Sequence, residues 1–167
     1  MIHFESGDGL HREARRSEMW FKAVGTDTRG RLSIMERTLP PGGRMPPPHR
    51  HQANDEAFFV LDGEVEFRVG EDVVRATNGT FILVTAGEVH TFGNTSEASA
   101  RLLVLHTPAL DQYFEELELL WAGASPPDHE SELDLMKRHG MEPSSPERTR
   151  PDEASRYGAV VARVNDP

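Results

Sequence analysis

Residues 43–63 read GRMPPPHRHQANDEAFFVLDG, and the fold turns on how two histidines one residue apart relate to the glutamate that follows them. In an extended chain alternate side chains share a face, so His49 and His51 project to one spot while Arg50 points away from it. Glu56 opens a second extended run, AFFVL, and a return across the QAND loop brings its carboxylate to the same place. Two imidazoles on one face make half a metal site; the rest depends on a further ligand elsewhere in the chain.

The surrounding composition bounds the answer. At 167 residues the chain has the length of one domain with a sizeable core. Lys+Arg 18 against Asp+Glu 28 leaves a net charge of -10, which argues against nucleic acid as a partner. There is no cysteine, so disulfides, thiolate metal sites and a cysteine nucleophile are excluded together. The opening MIHFESGDGLHREARRSEMW has no apolar signal-like stretch and no long apolar run follows, so the expectation is a cytoplasmic protein with no membrane partner.

From Met19 to Thr107 short β-branched and aromatic runs alternate with Gly, Pro, Asn and Asp, which predicts an antiparallel all-β unit. The runs are MWFKAV, RLSIMERTL, AFFVL, EVEFRV, VVRA, TFILV, VHTF and ARLLVLHT. Asp62-Gly63 predicts a tight hairpin between AFFVL and EVEFRV. Such a set suits a sandwich or small barrel whose interior holds one small ligand.

Beyond Thr107 the period becomes helical. Thr107-Pro108 reads as cap and first turn of a helix with Leu110, Phe114, Leu117 and Trp121 on its apolar stripe. SPPDHESELDLMKRHG predicts a second helix, with acids early, bases late and Gly140 as its stop. MEPSSPERTRPDEASRYG reads as a Pro-rich charged linker with at most one helical turn near 151–157, so loss of residues 141–150 is expected to do little. AVVARV reads as a short closing strand. The division expected is an N-terminal extension over 1–16, a barrel over 17–108 and a helical C-terminal segment over 109–167. No internal repeat points to a second barrel.

The further ligand appears in GTFILVTAGEVHTFGN, residues 79–94, where His90 sits in an alternating run with Glu88 and Phe92 on its face. Here the chain resembles the cupins. Gly43, His49, His51, Glu56 and Gly63 meet the first cupin motif residue for residue. Gly79, Gly87, His90 and Asn94 meet the second, with Thr85 where the family usually has proline, a change that touches a turn and no ligand. The resemblance implies a double-stranded β-helix, or jelly-roll barrel, holding one divalent transition metal on His49, His51, Glu56 and His90. Three imidazoles and a carboxylate suit Fe, Mn, Ni, Co or Zn alike.

Smaller expectations attach to neighbouring residues. Phe58, Val60 and Phe92 share the inward parity of the ligands and are expected to wall the pocket, with Glu88 beside them. His106 ends a strand, where a half-buried packing role is expected and an acid/base role is the alternative. Arg37 and Arg44 flank the PPGG turn near the barrel mouth; an arginine there can clamp a substrate carboxylate, though surface charge is the expected role. Met19, Trp20 and Phe21 form an early, exposed-looking strand of the kind through which cupins often pair, which makes a homodimer the expectation by resemblance.

Fold alone does not fix a reaction. Thiol dioxygenases of this family lack the glutamate, oxalate decarboxylases have two barrels, and germin-like oxalate oxidases are secreted with a disulfide. The remaining resemblance is to small single-barrel (monocupin) quercetin-dioxygenase-like proteins of bacteria. It implies a small-molecule substrate bound to the metal through oxygen, with Glu56 as ligand or catalytic base. An O2-independent cyclase or isomerase of a carbonyl or polyketide-like compound, or a non-catalytic small-molecule binder, stands as the alternative.

Overall fold

The computed structural model describes residues 1–43 and 45–144. Arg44, the helical turn expected near 151–157 and the closing strand AVVARV lie outside the described residues.

Each of the eight apolar runs forms a strand: β2 (Ser17–Ala23), β3 (Ser33–Leu39), β5 (Asp55–Asp62), β6 (Glu64–Val69), β7 (Asp72–Thr77), β8 (Phe81–Val84), β9 (His90–Gly93) and β10 (Ala100–Thr107). Three short strands join them: β1 (Leu10–Ala14), β4 (His49–His51) and β11 (Met141–Pro143). All pair antiparallel, in two sheets ordered β1-β2-β3-β10-β5-β8 and β11-β4-β9-β6-β7. This is the all-β jelly roll that the sequence predicts, with helices after it.

Period-two burial explains where the core sits. Ser33, Met35, Arg37 and Leu39 of β3, Ala100, Leu102, Val104 and His106 of β10, and Glu56, Phe58 and Val60 of β5 all point inward. Phe58 packs edge-on to Phe67 and Phe92 with ring centroids 4.9 and 4.8 Å away, closing the barrel floor with three aromatics from both sheets. Full burial of each such ring contributes roughly 1.5–3 kcal/mol. One end of each inward row is polar: Ser33, Glu56 and His106 lie side by side across β3, β10 and β5.

Four local expectations are corrected. Asp62-Gly63 is not a hairpin: β5 and β6 lie in different sheets, and β10 takes the place beside β5. Gly63, at φ 78, carries the chain between the sheets where a Cβ would stand 2.8 Å from the Ser99 carbonyl oxygen. The first long helix, α2 (Asp111–Trp121), follows the four-residue α1 (Gly25–Thr28) and starts later than Thr107-Pro108, because Thr107 still pairs with Asp55 in the sheet. The strand with Met19, Trp20 and Phe21 is paired on both sides, to β1 and β3, with Met19 and Phe21 buried, so it offers no free edge to a second copy. Finally, Met141–Pro143 is not linker but a strand hydrogen-bonded to β4.

The second helix, α3 (His129–Arg138), forms as its caps dictate: the Asp128 carboxylate accepts from the Ser131 amide at 2.7 Å, and Gly140 follows at φ 71. Together α2 and α3 cover one opening of the barrel. Phe114 of α2 lies 5.7 Å from Phe21, and the buried Arg15 of the β1–β2 turn donates to Glu132 of α3 at 2.7 Å. Among the described residues no helix is long and apolar enough to cross a membrane.

Candidate metal centre

The sequence brings the centre together through strand pairing. β4 places His49 and His51 on its buried face and Arg50 outside, and β9 sets His90 directly opposite His49. The rings of His49 and His90 lie 4.5 Å apart, those of His51 and His90 5.3 Å. Glu56 enters from the other sheet. Its Oε2 stands 3.1 Å from His51 Nε2 and 3.0 Å from His90 Nε2. One donor atom from each of His49, His51, Glu56 and His90 lies within 4.8 Å of the others, all four residues being buried.

The chemistry of these donors fits a cation. His90 Nδ1 faces the Glu88 carbonyl oxygen at 3.2 Å, and its Nε2 faces a carboxylate oxygen. A neutral imidazole has a single N–H, so it cannot satisfy two acceptors. A proton or a metal ion must stand on the Nε2 side. His49 Nδ1 similarly faces the Pro47 carbonyl oxygen at 2.8 Å, which orients Nε2 as a lone pair in the way ligating histidines are usually held. Burial, followed by the neighbouring His90 and His51, lowers the His49 pKa to about 3, so the ring is neutral and able to ligate at physiological pH. Burial alone would raise the Glu56 pKa, but the attraction of His106 and hydrogen bonds from His106, His51 and His90 outweigh it and hold the carboxyl well below its ordinary range. The four residues therefore fit one divalent transition metal, without selecting among Fe, Mn, Ni, Co and Zn.

The neighbouring residues depart from expectation in instructive ways. His106 is 1% exposed rather than half-buried, and its Nε2 contacts Glu56 Oε1 at 3.0 Å. The glutamate thus divides its oxygens, Oε2 toward the ligand histidines and Oε1 toward His106. Arg37 is not surface charge: it is 4% exposed, and its guanidinium lies 5.3 Å from the Phe92 ring centroid. Glu88 turns out of the pocket and caps the 85–88 turn, accepting from the Thr85 amide at 2.7 Å. Phe92 lines the cavity, whereas Phe58 and Val60 lie in the core beneath it.

The cavity around the centre is small, with about 20 Å³ of free space. Besides His49, His51, Glu56, Phe92 and His106, it is walled by residues that the barrel motifs do not contain: Leu110, Tyr113 and Phe114 from the α2 region, Met141 from β11, and Arg15. Phe114 packs on His106 with centroids 5.3 Å apart. Only the helical period of 110–121 hinted that this segment would face the barrel.

The model of the cupin domain matches residues 35–106. A curated but uncharacterized protein of Streptomyces coelicolor is 36% identical over 56 residues, 34% of this chain and 52% of that protein. The chain spans about half the length of the curated relatives it matches. Among solved structures, a predicted oxalate decarboxylase from Thermotoga maritima superposes with a TM-score of 0.58 at 22% identity, covering 66% of this chain and 100% of that one. The polyketide cyclase RemF from Streptomyces resistomycificus gives 0.56 at 21% identity, covering 64% of this chain and 79% of that one. At these identities both establish the shared fold.

Proposed function

We propose, from the match of residues 35–106 to the cupin domain and the fold shared with the solved structures, that this cupin is a metal-dependent enzyme acting on a small hydroxylated or enolisable molecule, with a quercetin-dioxygenase-like oxygenation as the first reaction to test. The observation that carries the reading is the four-donor cluster, buried and converging within 4.8 Å at the side of a cavity.

A metal bound there supplies Lewis acidity toward a substrate oxygen. The protein's own residues supply the rest. Glu56 is the base: its carboxylate is held ionised at pH 7 and can take a proton from a substrate carbon or hydroxyl. His106 acts on Glu56 Oε1, fixing the carboxylate's orientation from the side away from the ligand histidines. Phe92, Leu110, Phe114 and Met141 exclude water from the reacting centre.

The contact between His106 and Glu56 favours one alternative, an O2-independent cyclase or isomerase, because it sets a second proton-carrying group against the base. Oxygen-electrode measurements on metal-loaded protein, with a panel of flavonols, enols and cyclisable polyketide mimics, separate the readings. O2 uptake with stoichiometric product is the expected result. Product formed at an unchanged rate under argon selects the cyclase or isomerase, and saturable binding without turnover selects a non-catalytic binder. Protein that takes up no divalent metal overturns the proposal altogether.

A further inference from the structure

The metal-dependent reading leaves one buried charge without a use. Arg37 sits on the inward row of β3 between Met35 and Leu39, and at 4% exposure it is shut off from bulk water. A guanidinium offers five N–H donors. Among the described residues its hydrogen-bond partner is the Ser17 hydroxyl, reached by Nε at 2.9 Å; no carboxylate hydrogen-bonds to it, and Glu56 of the cluster acts on it only by attraction at longer range. The other arginine lining the cavity is treated differently. Arg15 donates to Glu132 Oε1 at 2.7 Å and to the Tyr113 hydroxyl at 3.2 Å, so a carboxylate from α3 neutralises it. A purely structural Arg37 would need the same, since an uncompensated buried charge is costly.

Resting on the metal-dependent reading above, we propose that the cavity takes a small hydroxy- or oxo-carboxylic acid, its carboxylate on Arg37 and its hydroxyl or carbonyl oxygen at the cluster of His49, His51, Glu56 and His90. Charge counting favours such a ligand. A divalent ion beside the Glu56 carboxylate leaves one positive charge, and Arg37 adds a second, so the cavity attracts an anion. Burial, and then the charge of Arg15, lower the Arg37 pKa to about 10, which still leaves it protonated at neutral pH. The Phe92 face beneath the guanidinium helps hold its plane, leaving its fork for two parallel hydrogen bonds to a carboxylate. The free space in the cavity is only about 20 Å³, which limits the acid to a few heavy atoms, and its Leu110, Phe114 and Met141 walls suit a short apolar body.

Titration calorimetry on zinc-loaded and on metal-free protein tests this, with lactate and 3-hydroxybutyrate each measured against its own amide. Wild-type protein is expected to bind at least one acid about tenfold or more tightly than the matching amide, in keeping with the strength of charge-assisted hydrogen bonds. Arg37→Gln is expected to abolish that ratio while metal content stays at the wild-type level. Should Arg37→Gln not fold by circular dichroism, Arg37→Lys serves: it keeps the charge and loses the fork, so acid affinity falls several-fold and amide affinity does not move. The proposal is overturned if no acid in the panel outbinds its amide in wild-type protein, or if the ratio survives Arg37→Gln, since the carboxylate would then sit on the metal. A protein that holds no zinc but keeps the acid preference defeats the metal reading and leaves the role of Arg37 standing.

Discussion

At the scale of single residues the centre divides into groups whose roles differ in kind. Glu56→Gln preserves volume and one oxygen while removing charge and basicity. It is expected to weaken metal binding moderately and to lower turnover 10²- to 10⁴-fold, the usual cost of a lost general base, as read by steady-state kinetics beside metal analysis. His106→Asn cuts the contact with Glu56 Oε1 and leaves the ligand set whole. Turnover is expected to fall roughly 10- to 100-fold, as for groups that orient a metal's ligands, with metal occupancy unchanged; wild-type turnover in that variant would return His106 to packing alone. His49, His51, Glu56 and His90 were legible because local alternation and fixed spacings report a shared face. His106 and Arg37 do line the cavity, but their full burial is not legible in the sequence, because their settings come from partners across the sheets and the barrel: His106 meets Glu56 only through the β5–β10 register. The parity of Arg37 with Met35 and Leu39 was available in RLSIMERTL and pointed inward. A charge at an inward position is the sequence signal for a buried arginine.

At the scale of elements, all eight strands expected from apolar runs are present, since period-two alternation reflects a strand's two faces. What alternation cannot report is which strand lies beside which. Asp62-Gly63 therefore read as a hairpin although β10, from far along the chain, fills the place next to β5. β11 was missed because three residues ending in proline carry almost no periodic signal. Yet it supports the metal centre directly: Met141 faces His51 in the β4–β11 pairing, is 2% exposed, and lines the cavity. The Gln52 amide also donates to the Gly140 carbonyl at 2.8 Å. On its other side β4 is held by the single β9 register pair His49–His90 and by the Gly87 amide, which donates to the His51 carbonyl at 2.8 Å. Met141→Ala is accordingly expected to cost about 2–5 kcal/mol, measured by urea denaturation, and to weaken metal binding in a competition titration, because the strand bearing two ligands loses its packing partner. Stability and metal affinity unchanged from wild type would mean that β11 merely rests against the barrel.

At the scale of the whole molecule the question is how stability responds to acid, and two effects oppose one another. The chain has a net charge of -10 and a pI near 5.2, so lowering the pH from 7 toward 5 relieves self-repulsion spread over the surface, which favours the folded state. The buried centre acts the other way. His49 has a folded pKa of about 3 against an ordinary 6.5, so between those values the unfolded chain binds the extra proton and stability rises with pH. Its contribution is complete above pH 6.5 and is lost as the pH falls toward 3. At 1.36 kcal/mol per unit, this one ring removes about 2 kcal/mol by pH 5. The lowered Glu56 works in the same direction at more acid pH, its stabilisation being present above 4.5 and lost below. A buried group acts at full strength, whereas exposed charges are screened within about 10 Å at ordinary salt, so the centre is expected to prevail. Urea denaturation of chelator-treated protein at pH 7.5, 6, 5 and 4 is expected to give falling stability at every step. His49→Gln, which has no proton to gain, is expected to flatten the fall between pH 6.5 and 5. Metal-loaded protein is expected to fall more steeply still, since protonated imidazoles release the ion. A stability that instead rises from pH 7.5 to 5 would mean that surface repulsion governs the molecule and that the buried imidazole is far less perturbed than its surroundings require.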